Sequence, residues 1–209
     1  MRACGPALGL TGMLLVVGCT TSSVVSEKPL SSPQAAVADP RLAGLWRGFI
    51  TNTSYVEYLY IDYQPKKGSG SMMSFGLDSS GGVATIQCDF FVTRTARHTY
   101  LNFSHYVYRA GGRAYPDYAG KYKFAEYRFT WLGQLDYGMA MGDAFCTAIE
   151  RGKLRGKVSA DKSNALLKDS SERILAFIES CKEKDIFDPP TKFSRIRSPA
   201  LVDVSLLDR

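Results

Sequence analysis

Few groups in this chain can do chemistry: five cysteines, two histidines, twelve tyrosines and scattered carboxylates. Cys88, Cys146 and Cys181 lie in the body of the chain, apart from Cys4 and Cys19 near its start. In an oxidising compartment those three thiols allow one internal bridge at most. Cys181 falls on the apolar stripe of an expected helix. Cys146 falls between Ala144 and Ala148 on one face of an expected strand, where small side chains let a helix come close. A Cys146–Cys181 disulfide is therefore the expected pairing, with Cys88 buried and reduced. A catalytic thiol needs a base within reach, and the spacing of His98 and His105 indicates none. Two histidines are few for a metal site. Acid pairs such as Asp136 with Asp143, or Asp117 with Glu126, read as surface charge rather than hydrolytic carboxylates. The chain has no Gly-x-Ser-x-Gly, no His-Glu-x-x-His, no Cys-x-x-Cys and no phosphate loop. No catalytic residue, metal or cofactor is expected, and the balance leans away from an enzyme.

Binding chemistry has better candidates. Tyr55, Tyr58, Tyr60 and Tyr63 crowd one segment, and Tyr100, Tyr106 and Tyr108 another. Tyrosines can line a pocket that needs apolar walls and a few hydroxyl donors; strands also favour them for packing alone. His105 shares a face with Leu101, Phe103 and Val107. It is expected either as a polar handle in a cavity or as a hydrogen-bonded core histidine. With Trp46, the residues Tyr58, Tyr60 and His105 form the expected lining of a ligand site. The formal charge of +6 is mild and spread along the chain, which argues against nucleic acid as a partner. The densest basic stretch is Arg151, Lys153, Arg155 and Lys157. Alternate spacing puts these on one side of a strand, as a solvated edge or as a contact for an anionic partner.

The start of the chain carries a different signal. Arg2 precedes an apolar stretch from Ala7 to Val17, too short to span a bilayer but as long as a signal-peptide core. The stretch ends Val16-Val17-Gly18-Cys19, which resembles the lipobox of bacterial lipoproteins. That resemblance implies removal of residues 1–18 and acylation of Cys19, with anchoring to a membrane through the attached lipid. The residue after the cysteine is Thr20 rather than Asp, which in a Gram-negative host implies the periplasmic face of the outer membrane. Residues 20–39 are rich in Ser, Pro and Ala and lack aromatics. They read as a flexible tether with a reach of about 25 Å, so that 19–40 form the lipidated start and tether.

From Leu42 short aromatic and β-branched runs alternate with Gly, Asn, Asp and Pro. The expected strands are Leu45–Thr51, Val56–Tyr63, Ser71–Leu77, Val83–Thr93, Tyr100–Tyr108, Lys121–Thr130, Met139–Ile149 and Leu154–Ser159. Many short strands with Gly-rich connections predict a mainly β fold. The expectation is an antiparallel barrel or barrel-like sandwich of about eight strands spanning 41–190. Ser163–Asp185 changes period: Leu167, Ile174, Ile178 and Cys181 share a stripe, which predicts one C-terminal amphipathic helix packed outside. Pro189-Pro190 ends it, and 191–209 form an extension, an arm along the domain or a frayed end. Gly44-Leu45-Trp46 at the start of the first strand resembles the Gly-x-Trp motif of lipocalins. In that family the tryptophan closes one end of an eight-stranded barrel and packs against a later arginine. Arg155, Arg195 and Arg197 are late enough to be that partner.

Two functions follow as expectations. One is a membrane-anchored module holding a hydrophobic or amphipathic ligand in the barrel. The other is a structural or assembly lipoprotein touching another envelope protein or cell-wall polymer.

Overall fold

The computed structural model describes residues 23–49, 56–77, 81–111, 113–116, 120–182 and 186–196. The proposed lipobox, Val16 to Cys19, lies outside them. Strand β1 (Ser23–Ser26) precedes β2 (Gly44–Phe49), β3 (Val56–Gln64), β4 (Ser69–Leu77), β5 (Val83–Arg94) and β6 (Thr99–Ala110). Then come β7 (Arg113–Pro116), β8 (Lys123–Phe129) and β9 (Leu135–Met139). The chain continues through helix α1 (Gly142–Glu150), β10 (Gly156–Val158), β11 (Asn164–Leu167), helix α2 (Ser171–Ser180) and β12 (Thr191–Arg195).

Strands β2, β3, β4, β5, β6, β8, β9 and β12 pair antiparallel in chain order, and β12 returns to pair with β2. The result is a closed 8-stranded up-and-down barrel, with β7 added to β6 outside the ring. Closure removes exposed strand edges. Period-two alternation divides each strand between two environments. Inward residues, among them Leu59, Ile61, Met72, Cys88, Phe90, Val92, Leu101, Phe103, Leu135 and Phe193, form one core inside the barrel. On β6, β8 and β9 some outward residues are buried as well. Tyr100 and Phe124 join Phe145, Ile174, Ile178 and Phe187 in a second core between the barrel wall and the two helices. Strands β2, β3 and β4 carry no such cover, and Phe49, Tyr60, Met73 and Leu77 stand exposed on them.

The structure corrects several expectations. Residues 23–39 are not a free tether. Strand β1 adds parallel to β11, Val24 and Leu30 are 2% exposed, and the Leu30 N–H donates to Asn102 Oδ1 (2.6 Å). Short and Ser-rich though it is, the segment buries its few aliphatics and turns its polar backbone onto the barrel wall. Thr20, Thr21 and Ser22 alone separate Cys19 from β1.

Of the expected strand Met139–Ile149 only Met139 is in a strand, as the last residue of β9, and residues 142–149 lie in α1. Its run of apolar residues is too short for periodicity to separate strand from helix. Burial of Phe145, Cys146 and Ala148 on one helical face, and left-handed Gly152 just beyond (φ +69°), decide for helix. In the expected helix Ser163–Asp185 only α2 is helical. It starts at Ser170, whose hydroxyl accepts from the Arg173 N–H, while Asn164–Leu167 is a strand. Of the four expected strand residues Arg151, Lys153, Arg155 and Lys157, only Lys157 lies on β10; Arg155 is tied to buried Asp169 (2.9 Å). The eighth barrel strand comes from the expected C-terminal extension, since Thr191–Arg195 lies between β2 and β9.

Candidate functional site

The two ends of the barrel differ. One is closed by a single 3-10 turn, Pro40–Leu42, leading into β2. Trp46 points inward beneath it, 1% exposed, and donates Nε1–H to the Leu42 carbonyl (2.9 Å). The Arg195 guanidinium lies over its indole at 4.6 Å and donates to the Arg41 carbonyl. This is the tryptophan–arginine contact that the lipocalin resemblance implies, with Arg195 as the partner. The barrel is lipocalin-like in architecture.

Asp39 completes the closure. Its carboxylate, 3% exposed, accepts from Arg41 Nε and Nη2 (both 2.8 Å) and from the Tyr127 hydroxyl (3.1 Å). Arg94 stands 3.6 Å away. The Asp39 N–H donates to the Tyr63 hydroxyl (2.7 Å), which donates to the Val37 carbonyl (3.2 Å). Burial alone would favour the neutral acid. The Arg41 pair and the Tyr127 hydrogen bond outweigh it and hold Asp39 below the usual carboxylate range. Burial, with the Asp39 charge beside it, pushes the Tyr127 phenol far up.

The middle of the barrel is filled by rings in contact: Tyr63 with Phe90 (6.0 Å), Phe90 with Phe103 (6.4 Å), Phe103 with Tyr137 (6.2 Å) and Tyr137 with Phe193 (6.3 Å). Gly48 makes room for this layer, because a Cβ there would lie 2.6 Å from the Phe193 ring. The Cys88 thiol is sealed among these residues, donates to the Met72 carbonyl (3.9 Å), and is pushed up to about 12 by burial. It is inert as a nucleophile.

Beyond the aromatic layer, toward the other end, the inward positions become mixed. Alternation with Leu59 and Ile61 aims Glu57 into the barrel, and alternation with Met72 aims Ser74 there. The Ser74 hydroxyl donates to Glu57 Oε1. Burial is the main force on Glu57 and raises it despite that hydrogen bond. Lys123, in alternation with Ala125 and Tyr127, places Nζ 4.3 Å over the Tyr106 ring. The Tyr137 hydroxyl reaches Met139 Sδ (2.8 Å) and is raised by burial, with contributions from Cys88, Tyr106 and Glu57. A carboxyl, an ammonium and phenols thus gather above an apolar floor. Groups of these types are the kind that orient the polar end of an amphipathic molecule.

Of the expected lining, only Trp46 faces the interior, and it does so at the closed end. Tyr58 and Tyr60 point outward from β3; Tyr58 stacks on Phe75 (5.2 Å, 9°), and Tyr60 is 52% exposed. Counting by twos on the opposite parity would have selected Glu57, Leu59 and Ile61. His105 also points out, with Nδ1 3.0 Å from Asp89 Oδ2. A register shift in the β5–β6 ladder and a left-handed His105 (φ +50°) break the alternation there. Glu57, Lys123 and Tyr137 were not anticipated; the inward parity of β3, β8 and β9 is the signal that marks them.

The Cys146–Cys181 bridge is not formed. Cys88, Cys146 and Cys181 are free, and Cys146 sits on α1 rather than on a strand. Asp136 is outward on β9 beside Arg128 (3.3 Å), Asp143 is in the first turn of α1, and Asp117 lies outside the described residues. No three metal-ligating side chains gather among the described residues, and none of their helices is long and apolar enough to cross a membrane. On the bare wall a groove of about 880 Å³ runs along Arg47, Phe49, Lys192, Ser194 and Arg195. No protein-family model matches the chain, and neither a curated protein nor a solved structure shows significant similarity to it.

Proposed function

We propose that this protein is an envelope lipoprotein, acylated at Cys19, whose barrel receives the polar end of a hydrophobic or amphipathic ligand at its mouth, the end opposite the Trp46 closure. In a Gram-negative host it would stand on the periplasmic face of the outer membrane. The observation that carries the binding reading is the convergence of Glu57, Ser74, Tyr106, Lys123 and Tyr137 above the aromatic layer. Because that layer fills the barrel's middle, the ligand is held at the mouth rather than swallowed. The test is native mass spectrometry of the protein extracted gently from its own envelope. An adduct on the wild type that is absent from Glu57→Gln and Lys123→Met supports the reading. A bare protein, with no stabilisation by fatty acids, lysophospholipids or amphipathic amines, defeats it. Anchoring is tested separately: Cys19→Ser should leave the membrane fraction, and mass analysis should find residues 1–18 removed.

A second reading, contact with another envelope protein, rests on the exposed Phe49, Tyr60, Met73 and Leu77 of the bare wall. Site-specific photo-crosslinking from Tyr60 in cells, with a single cross-linked product, would favour it.

A further inference from the structure

The hairpin between β8 and β9 projects from the closed end of the barrel, and its tip is made of the wrong residues for a tip facing water. Trp131 is 92% exposed and Leu132 63%. Turn centres in water favour Gly, Pro, Asn, Asp and Ser. The turn is firmly built: the Thr130 N–H donates to the Gln134 carbonyl and the Gly133 N–H to the Thr130 carbonyl, both at 2.9 Å. The Gln134 N–H adds a bond to Thr130 Oγ1 (3.2 Å), and Gly133 takes the left-handed conformation (φ +75°) that the bend requires. The apolar pair is therefore held outward rather than left loose.

The rim around it is cationic. Arg128 flanks the turn, Arg195 ends the neighbouring strand β12, and Arg41 and Arg94 border the closure. Their carboxylate partners, Asp39 and Asp136, are 3% and 4% exposed. The carboxylates of these pairs are thus inside and their guanidiniums face out. Lys66 and Lys67 stand exposed on the β3–β4 turn of the same end. Tryptophan prefers the level of lipid headgroups, leucine goes just below it, and clustered Arg and Lys are drawn to anionic headgroups.

We infer that the closed end of the barrel is a membrane-docking surface, with Trp131 and Leu132 inserted at the interface of an anionic bilayer and the arginine rim lying on its headgroups. The contact rests on the hairpin and its rim, and it is independent of acylation at Cys19.

The chain carries its own reporters, since Trp131 and Trp46 are its two tryptophans and Trp46 is sealed beneath Arg195. The experiment uses the acylated chain and Cys19→Ser, each with vesicles of phosphatidylcholine containing about one third phosphatidylglycerol. The expected result is a blue shift of the exposed tryptophan and its quenching by brominated acyl chains, in both forms. Flotation of Cys19→Ser should fall about tenfold in Leu132→Asp, and fall again when phosphatidylglycerol is left out. Leu132→Asp changes a side chain at an exposed turn and should unfold at the wild-type temperature. An acylated chain that floats while Trp131 stays open to aqueous iodide overturns the inference and leaves anchoring at Cys19 intact. Equal flotation of Leu132→Asp and its parent also overturns it. A chain that retains residues 1–18 and lacks lipid, yet still buries Trp131 on these vesicles, supports it while removing the anchoring proposal.

Discussion

The barrel treats carboxylates oppositely at its two ends. At the closed end Asp39 is buried with three hydrogen bonds from Arg41, one from Tyr127 and Arg94 nearby, and its ionised form is favoured. At the mouth end Glu57 accepts from Ser74 and is raised by burial. Asp188, just before β12, is pushed up by burial to about 6. A group paired this thoroughly contributes to stability. A group whose ionisation is opposed by its surroundings costs stability, and such groups concentrate where a protein binds or reacts. The closed end therefore reads as structure and the mouth as function.

The largest expected effect tests the closed end. Asp39→Ala removes four charge-assisted hydrogen bonds and should cost about 3 kcal/mol, read as a lower urea midpoint with an unchanged slope. Its pH signature follows from the lowered pKa. Asp39 stabilises the fold above its unfolded value near 3.8, and that contribution is lost as pH falls through the still lower folded value. Acid unfolding of Asp39→Asn should be shallower than wild type in that range. A wild-type midpoint for Asp39→Ala would mean that the closure rests on Trp46 and its neighbours alone.

At the mouth end the sign reverses. Asp188 has a folded pKa of about 6 against 3.8 in the unfolded chain. The folded state thus binds its proton more tightly, and stability falls as pH rises through that window. Asp188→Asn should be more stable than wild type by about 1–2 kcal/mol at pH 7 and equal to it below pH 4. Urea titrations at the two pH values check this, and a variant that is less stable at neutral pH would show that an ionised Asp188 has a structural partner.

Arg195→Ala sharpens the closed end at smaller cost. Losing the cation–π contact should destabilise by about 1 kcal/mol and shift the emission of Trp46, with Trp131 replaced by Phe to isolate it. A larger loss would make the late arginine a principal part of the closure.

The parts of the molecule legible in the sequence are those where one pattern had one structural meaning. Gly44-Leu45-Trp46 marked the tryptophan that closes the barrel, and a late arginine, Arg195, does stack on it. Alternation in β5 separated Cys88 and Phe90 from Gln87 and Asp89 as the structure does. Legibility failed where a pattern had two meanings. Ala144–Ile149 suits a buried strand or a helix face, and only the barrel wall beneath α1 decides. Thr191–Arg195 has too few residues for a period to show, and its place is set by the gap between β2 and β9. The segment 23–39 has a tether's composition, yet Val24, Val25 and Leu30 find a surface that no local rule can reveal. At the site, β3 has aromatic residues on its outward parity and Glu57 on its inward one, so counting tyrosines selected the wrong face. One bulge did the same for His105.

The smallest expected effect is the most informative about function. Glu57→Gln keeps the shape of the side chain and an oxygen to accept from Ser74, and removes the charge that burial opposes. Because the folded pKa of Glu57 is raised by burial above its unfolded value near 4.5, the wild type loses stability as pH rises through the interval between the two values, and the variant does not. At neutral pH the variant should match or exceed wild-type stability by less than about 1 kcal/mol, measured by urea unfolding. Against that flat background any loss of a bound molecule is a loss of recognition rather than of folding. If Glu57→Gln were destabilised as strongly as Asp39→Ala, Glu57 would be a second structural carboxylate. The contrast between the two ends, and with it the case for a binding mouth, would then disappear.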